Sequence, residues 1–239
     1  MQLTQHKSEK KSEKGFLSIR GHHFFADLIT SNSIVLDLGA HLGQFSQEVS
    51  RLFNCHCYAI EAHPKLHEKI ESTQLLSKFN YAIFSENKPV TFCTMSNPET
   101  NHISIDGDSD GEMVTVEGIT LKRFMKQQKI STIDLLKVDI EGAEVLLFDS
   151  IDDELIRSIK QITVEFHDFM LDISSEVKSI KARLKSLGFE YIVFSNSTNG
   201  DVLFINQSVC NISPMRYAYA RYVGKYIKGL SRRLARGTK

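Results

Sequence analysis

Acidic side chains and one histidine follow two apolar segments in the second half of the chain. Asp139, Glu141 and Glu144 come directly after one apolar run, and Glu165 and His167 come at the end of the next. Carboxylates and imidazole are the groups that most often move protons in enzymes. The same donors also suit a hard divalent cation, which would lower the pKa of a bound hydroxyl. The sequence therefore predicts a proton-transfer site, which a divalent cation could assist.

Each of these residues has a predicted role. We expect Asp139, Glu141, Glu165 and His167 to be the catalytic residues, with His167 as the proton acceptor, because an imidazole pKa of ~6.5 rises beside a carboxylate. Glu165 and His167 are two positions apart on an extended segment, so both face the same side. Asp139, Glu165 and His167 are the candidate ligands for a divalent cation. Glu144 is explained equally well as a solvated residue in the first turn of a helix.

A turn containing glycine lies in the first half of the chain, at residues 37–43. The dinucleotide fingerprint would place glycines at 39, 41 and 44, but the chain has His41 and Gln44. The turn therefore lacks the close cradle that a pyrophosphate needs. Glu61 lies 24 residues after Asp37, at the end of the next predicted strand. A carboxylate at that position can accept hydrogen bonds from both hydroxyls of a ribose. The combination of Asp37 before the turn, glycines more widely spaced than in the dinucleotide fingerprint, and Glu61 at the ribose position favours S-adenosylmethionine as the ligand. This cofactor contains a ribose and an adenine but no phosphate.

The elements that must position these residues are strands alternating with helices. This alternation is typical of an α/β fold with a mostly parallel sheet, where ligands bind outside the carboxyl ends of the strands. The predicted strands of the sheet are residues 33–38, 57–60, 78–84, 133–138, 161–166, 191–194 and 202–205. The predicted helices are residues 43–53, 121–129 and 177–187, with another beginning at Pro64. We expect a Rossmann-like sandwich: a mostly parallel seven-stranded sheet, an antiparallel closing strand, and helices on both faces.

Four segments together resemble the FkbM family of S-adenosylmethionine-dependent methyltransferases: DLGAHLGQFS, IEAHP, FNYAIFSEN and LLKVDIEGAEVLLF. The resemblance covers about residues 30–205, and its most specific part is residues 137–144. It implies the class I methyltransferase fold. It also implies that Asp37, Gly39, Ala40 and Gly43 line the methionine portion of the cofactor.

The resemblance further implies that Glu61 holds the ribose, and that Asn80, Tyr81 and Ala82 border the adenine. His41 and Ala62 stand where the family usually has Asn and Pro, and we expect both beside the cofactor. Asp139 is expected at its reactive end. The function implied is an O-methyltransferase acting on a hydroxyl of a sugar, a glycoconjugate or a related small molecule. The alternatives are a nicotinamide-dependent oxidoreductase, and a catalytically silent Rossmann-like binding module at a membrane or partner surface.

The composition is that of a globular protein. The chain has 239 residues, of which 41% are hydrophobic, and 29 basic residues balance 29 acidic ones. No run approaches the ~18 apolar residues that span a bilayer. Residues 1–16 are charged and lack an apolar core segment, so we do not expect a secretory signal there. Four cysteines do not make a disulfide scaffold. We expect a cytoplasmic protein with a charged extension at 1–20, a methyltransferase domain at 21–211 and a basic amphipathic helix at 212–239.

The charge is distributed unevenly. Residues 212–239 carry eight Lys and Arg side chains and no acid. Such a segment suits the inner face of a membrane, an acidic partner, or the acidic body of the chain itself. A nucleic-acid partner is disfavoured, because the rest of the chain is acidic.

Three smaller features complete the sequence analysis. His22 and His23 precede the first predicted strand, where we expect a lid over the cofactor and no shared metal ion. His102 is expected to line the acceptor pocket. The acidic segment 105–112 is expected to be a solvated turn, because it lacks the spacing of a calcium loop.

Overall fold

The computed structural model describes residues 15–94, 112–168, 171–195 and 198–224. The predictions for His102, for most of segment 105–112, and for the two termini at 1–14 and 225–239 concern residues outside these ranges. The strands are β1 (Phe16–Ile19), β2 (His22–Phe25), β3 (Ile34–Leu38), β4 (His56–Ile60), β5 (Leu76–Phe79), β6 (Ala82–Ile83), β7 (Val90–Thr94), β8 (Glu112–Val116), β9 (Gly118–Ile119), β10 (Ile133–Val138), β11 (Ile159–Val164), β12 (Phe189–Val193) and β13 (Val202–Asn206). The α-helices are α1 (Gln44–Phe53), α2 (Pro64–Lys69), α3 (Leu121–Gln128), α4 (Glu144–Ser150), α5 (Asp153–Arg157), α6 (Ser174–Ser186), α7 (Gln207–Cys210) and α8 (Pro214–Ala218).

Seven strands form the central sheet, in the order β12-β13-β11-β10-β3-β4-β5. All neighbours pair in parallel except β13, which is antiparallel to both β11 and β12. The predicted mixed sheet is therefore confirmed, with the antiparallel strand one place in from the edge. The strand order reverses between β3 and β10, so the carboxyl ends of these two strands flank the crevice where ligands of such sheets bind.

Apolar side chains cover both faces of the sheet, as the alternation of side chains along a strand requires. Leu36 and Leu38 of β3 pack in one core with residues of α3, α4, α5 and α6. Val35 packs in a second core with Phe45 and Val49 of α1. Helices on both faces are thus confirmed. Among the described residues no helix is both long and apolar enough to cross a membrane.

An N-terminal hairpin packs on the second face. β1 and β2 pair antiparallel, and the two residues between them, Arg20 and Gly21, both have positive φ, as two-residue hairpin turns require. Phe25 is buried, and its backbone N–H and C=O both bond to the side-chain amide of Gln161 in β11. Residues 16–20, which the division above places in the charged extension, therefore belong to the folded body.

The third predicted strand of the sheet and the basic tail also differ from the expectations. The predicted strand at 78–84 is divided: β5 ends at Phe79, and Ala82–Ile83 form the separate strand β6, which pairs with β9. The described part of the basic tail is also not one α-helix, since α8 gives way to a π-helix over Tyr219–Gly224. This part docks on the body through the Tyr217 hydroxyl, which donates to the carbonyl of Tyr191 at 2.7 Å.

Candidate active site

The turn after β3 closes against the end of β10. Gly39 has a φ of +73°, and a Cβ there would lie 1.7 Å from the Asp139 carbonyl oxygen, so only glycine fits. Its N–H and that of buried Ala40 both donate to the Ile60 carbonyl at 3.0 Å. Gly43 also has a positive φ and precedes α1. The turn is therefore fixed between the ends of β4 and β10.

A buried ion pair joins β3 to β10. Lys137 and Asp37 are in register on these neighbouring strands, and Lys137 Nζ lies 2.9 Å from Asp37 Oδ1. Lys137 Nζ also donates to the Gly39 carbonyl at 2.8 Å, while Asp37 Oδ2 accepts from the Ser46 hydroxyl of α1. Asp37 thus anchors the glycine turn. Lys137, which was expected to offset the repulsion among the acids after β10, supplies the compensating charge to Asp37 and also lies 3.7 Å from Asp139.

Glu61 faces the glycine turn. Its Oε2 accepts from the His41 backbone N–H at 2.6 Å, and its Oε1 accepts from that of His63 at 2.8 Å. Burial raises the pKa of Glu61 to about 7, although these two N–H donors and Lys137 favour the charged form. The carboxylate is 8% exposed, at the carboxyl end of β4. The structure therefore places Glu61 beside the turn, as expected.

Asn80 closes the edge of this region. Its side-chain amide donates to the carbonyls of Glu61 and Ala62, both at 2.9 Å. Tyr81 follows and packs against the core that contains Phe79. These contacts turn the chain away from the sheet after β5, so Asn80 and Ala62 lie beside Glu61.

Asp139 follows β10 as expected and lies close to Lys137, His22 and His167. Burial opposes its ionisation, but Lys137 at 3.7 Å, His22 at 3.6 Å and His167 hold the pKa of its carboxyl below the ordinary range. Asp139 is therefore an ionised group that binds protons weakly. The sequence analysis placed His22 in a lid without a link to Asp139; the β1–β2 hairpin, whose Arg-Gly turn was the available signal, brings it there.

His167 lies between two carboxylates, an environment that disfavours the expected role of proton acceptor. Burial works against its charge, but hydrogen bonds to Glu141 at 3.2 Å and Glu144 at 3.1 Å raise the pKa of His167 to about 10. The imidazole is thus a cation near pH 7, with a carboxylate at each ring nitrogen. Glu144 is fully buried, so it is not a solvated first-turn residue.

Glu165 has the opposite electrostatic environment. Burial and the nearby charge of Asp139 raise the pKa of Glu165 to about 7, in spite of His167. Its backbone N–H donates to the Val138 carbonyl, which extends the pairing of β11 with β10 by one residue. Glu165 is therefore a partly buried base beside Asp139.

Within the part of the chain that the structure describes, two groups of side chains could hold a metal ion. One is His22, Asp139 and Glu165, and the other is Asp139, Glu141 and His167; within each, the ligand atoms lie within 4.8 Å of one another. The predicted set of Asp139, Glu165 and His167 is thus divided between the two groups. Because two carboxylates hold His167 as a cation, the group with His22 fits a metal ion better.

The sequence of residues 37–191 matches the family model of the FkbM methyltransferase domain. This match covers more than half of the chain and includes the glycine turn, Glu61 and the residues that follow β10 and β11. The chain belongs to the FkbM methyltransferase family. No curated protein matches the sequence of this FkbM domain.

Solved structures of methyltransferases are similar to this FkbM domain at low sequence identity. The FkbM methyltransferase of Methylobacillus flagellatus KT has 11% identity over 74% of this chain, with a TM-score of 0.48, and this chain spans 44% of its length. The precorrin-6y C5,15-methyltransferase of Geobacter metallireducens GS-15 has 12% identity, a TM-score of 0.40, and coverage of 74% of this chain and 82% of its own.

Proposed function

We propose that this FkbM domain transfers a methyl group from S-adenosylmethionine to a hydroxyl of a sugar, a glycoconjugate or a related small molecule. The observation that carries the proposal is the position of Glu61, which is buried against the glycine turn at the end of β4 and is separated by β3 from Asp139 at the end of β10. A ribose-binding carboxylate and an acidic acceptor region therefore flank the point where the strand order reverses.

The residues around Glu61 fit this cofactor. Each carboxylate oxygen of Glu61 accepts one backbone N–H, and each retains a lone pair for a ribose hydroxyl. Asp37 is buried, and its carboxylate contacts Lys137 and the Ser46 hydroxyl. Its role is to hold the turn at Gly39, whose backbone would lie against the methionine portion.

Methyl transfer requires that the acceptor hydroxyl lose its proton while its oxygen bonds to the methyl carbon and the carbon–sulfur bond breaks. When bound, S-adenosylmethionine supplies this methyl on a sulfonium centre. Glu165 takes the proton, because a carboxylate with a pKa of about 7 is the matched base near neutral pH. Asp139 remains ionised and orients the hydroxyl by accepting its hydrogen bond, while His167 donates to Glu141 and so fixes that carboxylate.

A divalent cation is the alternative source of acidity for the hydroxyl. His22, Asp139 and Glu165 would hold it, and it would lower the pKa of the acceptor. Lys137, 3.7 Å from Asp139, already supplies positive charge at this place.

Calorimetric titration tests the cofactor. We expect S-adenosylmethionine and S-adenosylhomocysteine to bind and NAD not to bind. Glu61→Ala should weaken binding by about 10- to 100-fold, the loss of hydrogen bonds to a charged group, while Glu68→Ala, on the exposed side of α2, should not. Binding of NAD alone would indicate an oxidoreductase, and binding of none of the three would indicate the silent module.

Mass spectrometry tests the acceptor. We expect a gain of one methyl on at least one member of a panel of glycans and small hydroxylated compounds. Cofactor binding together with methylation of amine or thiol acceptors only would contradict the hydroxyl assignment.

A further inference from the structure

A buried carboxylate lies behind the acidic region. Glu144 begins α4 and is 0% exposed, although it follows Asp139 by only five residues. Burying a carboxylate is costly unless donors surround it. Its contacts therefore show what this position contributes.

A single oxygen of Glu144 gathers three hydrogen bonds. Glu144 Oε1 accepts from the backbone N–H of Ile140, from that of Gly142 and from His167 Nδ1, each at 3.1 Å. The donors come from the turn after β10 and from the segment after β11. One atom therefore joins the two segments that carry the acidic side chains.

The backbone donors set the shape of the turn. Glu141 and Gly142 both have positive φ, at 52° and 99°, so this turn has a left-handed conformation that costs energy at Glu141. The backbone N–H groups of Ile140 and Gly142, on either side of Glu141, both donate to Glu144 Oε1 and hold the turn in this conformation.

The third bond sets the orientation of the imidazole. With Nδ1 held by Glu144, His167 Nε2 faces Glu141 Oε2 at 3.2 Å and Asp139 Oδ1 at 3.9 Å. If the His167 ring were rotated, its Nε2 would no longer face the carboxylates of Asp139 and Glu141. Glu144 therefore acts on Asp139 and Glu141 through another side chain.

We propose that Glu144 is a positioning residue, whose Oε1 fixes the His167 ring and the 140–142 backbone against each other and so sets the places of Asp139 and Glu141. The kinetic part of this inference rests on the proposed function. The structural part concerns the imidazole alone and does not depend on methyl transfer.

Kinetics of Glu144→Gln and Glu144→Ala test the role in turnover, with Asp149→Ala on the exposed side of the same helix as the control. Titration with S-adenosylhomocysteine measures the concentration of folded sites, so that kcat can be expressed per folded site. We expect Glu144→Ala to lower kcat per folded site by about 100-fold, as a displaced reacting group does, with cofactor Kd within about threefold. Glu144→Gln should retain kcat within about tenfold, because its amide oxygen accepts the same N–H groups.

Long-range ¹H–¹⁵N spectra of the histidine rings, recorded on the full chain, test the structural part without any acceptor. The Nδ1 signal of His167 should move in Glu144→Ala and stay in Asp149→Ala. If Glu144→Ala fails to fold, Glu144→Asp serves instead, because it keeps the negative charge but has a side chain shorter by one methylene. The carboxylate then lies farther from His167 Nδ1, and we expect the Nδ1 signal to move in this variant as well. An unmoved signal in a folded variant, or unchanged kcat per folded site in an active enzyme, would overturn the inference.

Discussion

The acidic residues at the strand ends differ from one another by their neighbours. Asp139 lies beside Lys137 and His22 and stays ionised, while Glu165 is partly buried beside Asp139 and takes up a proton near neutral pH. The sequence predicted that these residues meet, because parallel strands end at one edge. It did not predict their protonation states, which depend on residues distant in the chain.

His167 shows the same limit most clearly. A carboxylate was expected to raise its pKa, but the buried Glu144 and the neighbouring Glu141 together raise it to about 10. From the sequence, Glu144 was explained equally well as a solvated helix residue, because its burial depends on the turn at 140–142, whose backbone N–H groups bond to it. No periodicity in the sequence reports such a turn.

The pH profile of kcat tests Glu165 as the base. Its pKa is raised to about 7 by burial and by Asp139, with His167, Glu141 and Asp201 as the other facing charges. The group is therefore protonated below about pH 7 and available above it, so kcat at saturating cofactor should fall about tenfold per pH unit on the acid side. Saturation matters, because Glu61 also has a pKa of about 7 and would affect cofactor binding.

Glu165→Gln should lower kcat by about 10²- to 10⁴-fold and remove this acid limb. Glu154→Gln, an exposed carboxylate on α5, should leave the profile unchanged. If Glu165→Gln kept the same acid limb and a near-normal kcat, a group other than Glu165 would be the base that takes the proton of the acceptor hydroxyl.

At the scale of elements, the strands of the sheet followed from apolar runs of the right length, and the hairpin did not. The runs at 16–19 and 22–25 are short and lie next to a charged segment, although the Arg20-Gly21 pair between them is a turn signal. The predicted strand at 78–84 was too long because Asn80 bonds to Glu61 and Ala62 and ends it. A tertiary hydrogen bond decided that boundary.

Unfolding of Gln161→Leu in urea tests how the hairpin is held. The substitution leaves the buried N–H and C=O of Phe25 without partners, and we expect a loss of about 2–4 kcal/mol in the free energy of unfolding. Hydrogen exchange of the β1–β2 amides should quicken more than that of β3 and β4. Gln44→Leu, on the exposed surface of α1, is the control, and equal losses in the two variants would contradict the assigned role of Gln161.

At the scale of the whole molecule, the architecture was predictable because strands alternate with helices along the chain, and this alternation is typical of a mostly parallel sheet with helices on both faces. The charge asymmetry is equally plain in the sequence, but what the basic tail contacts is not. Its described part docks on the body, with Arg216 paired to Asp27 and Tyr217 bonded to Tyr191. Residues 225–239 carry the remaining six basic side chains.

Sedimentation with lipid vesicles tests the tail. Deleting residues 225–239 should lower cosedimentation with anionic vesicles, because each basic side chain near such a surface contributes about 1 kcal/mol. Neutral vesicles serve as the control. Equal sedimentation of the full and shortened chains would exclude an anionic membrane as the partner of this segment.

The hairpin also affects how the chain must be made. Phe25 is fully buried, but Gln161 of β11, which bonds to its backbone, lies about 135 residues further on. At a ribosomal rate of about 5–20 residues per second, Phe25 waits roughly 7 to 27 seconds for this partner. Nascent chains of this protein should therefore need chaperones at the hairpin until β11 emerges.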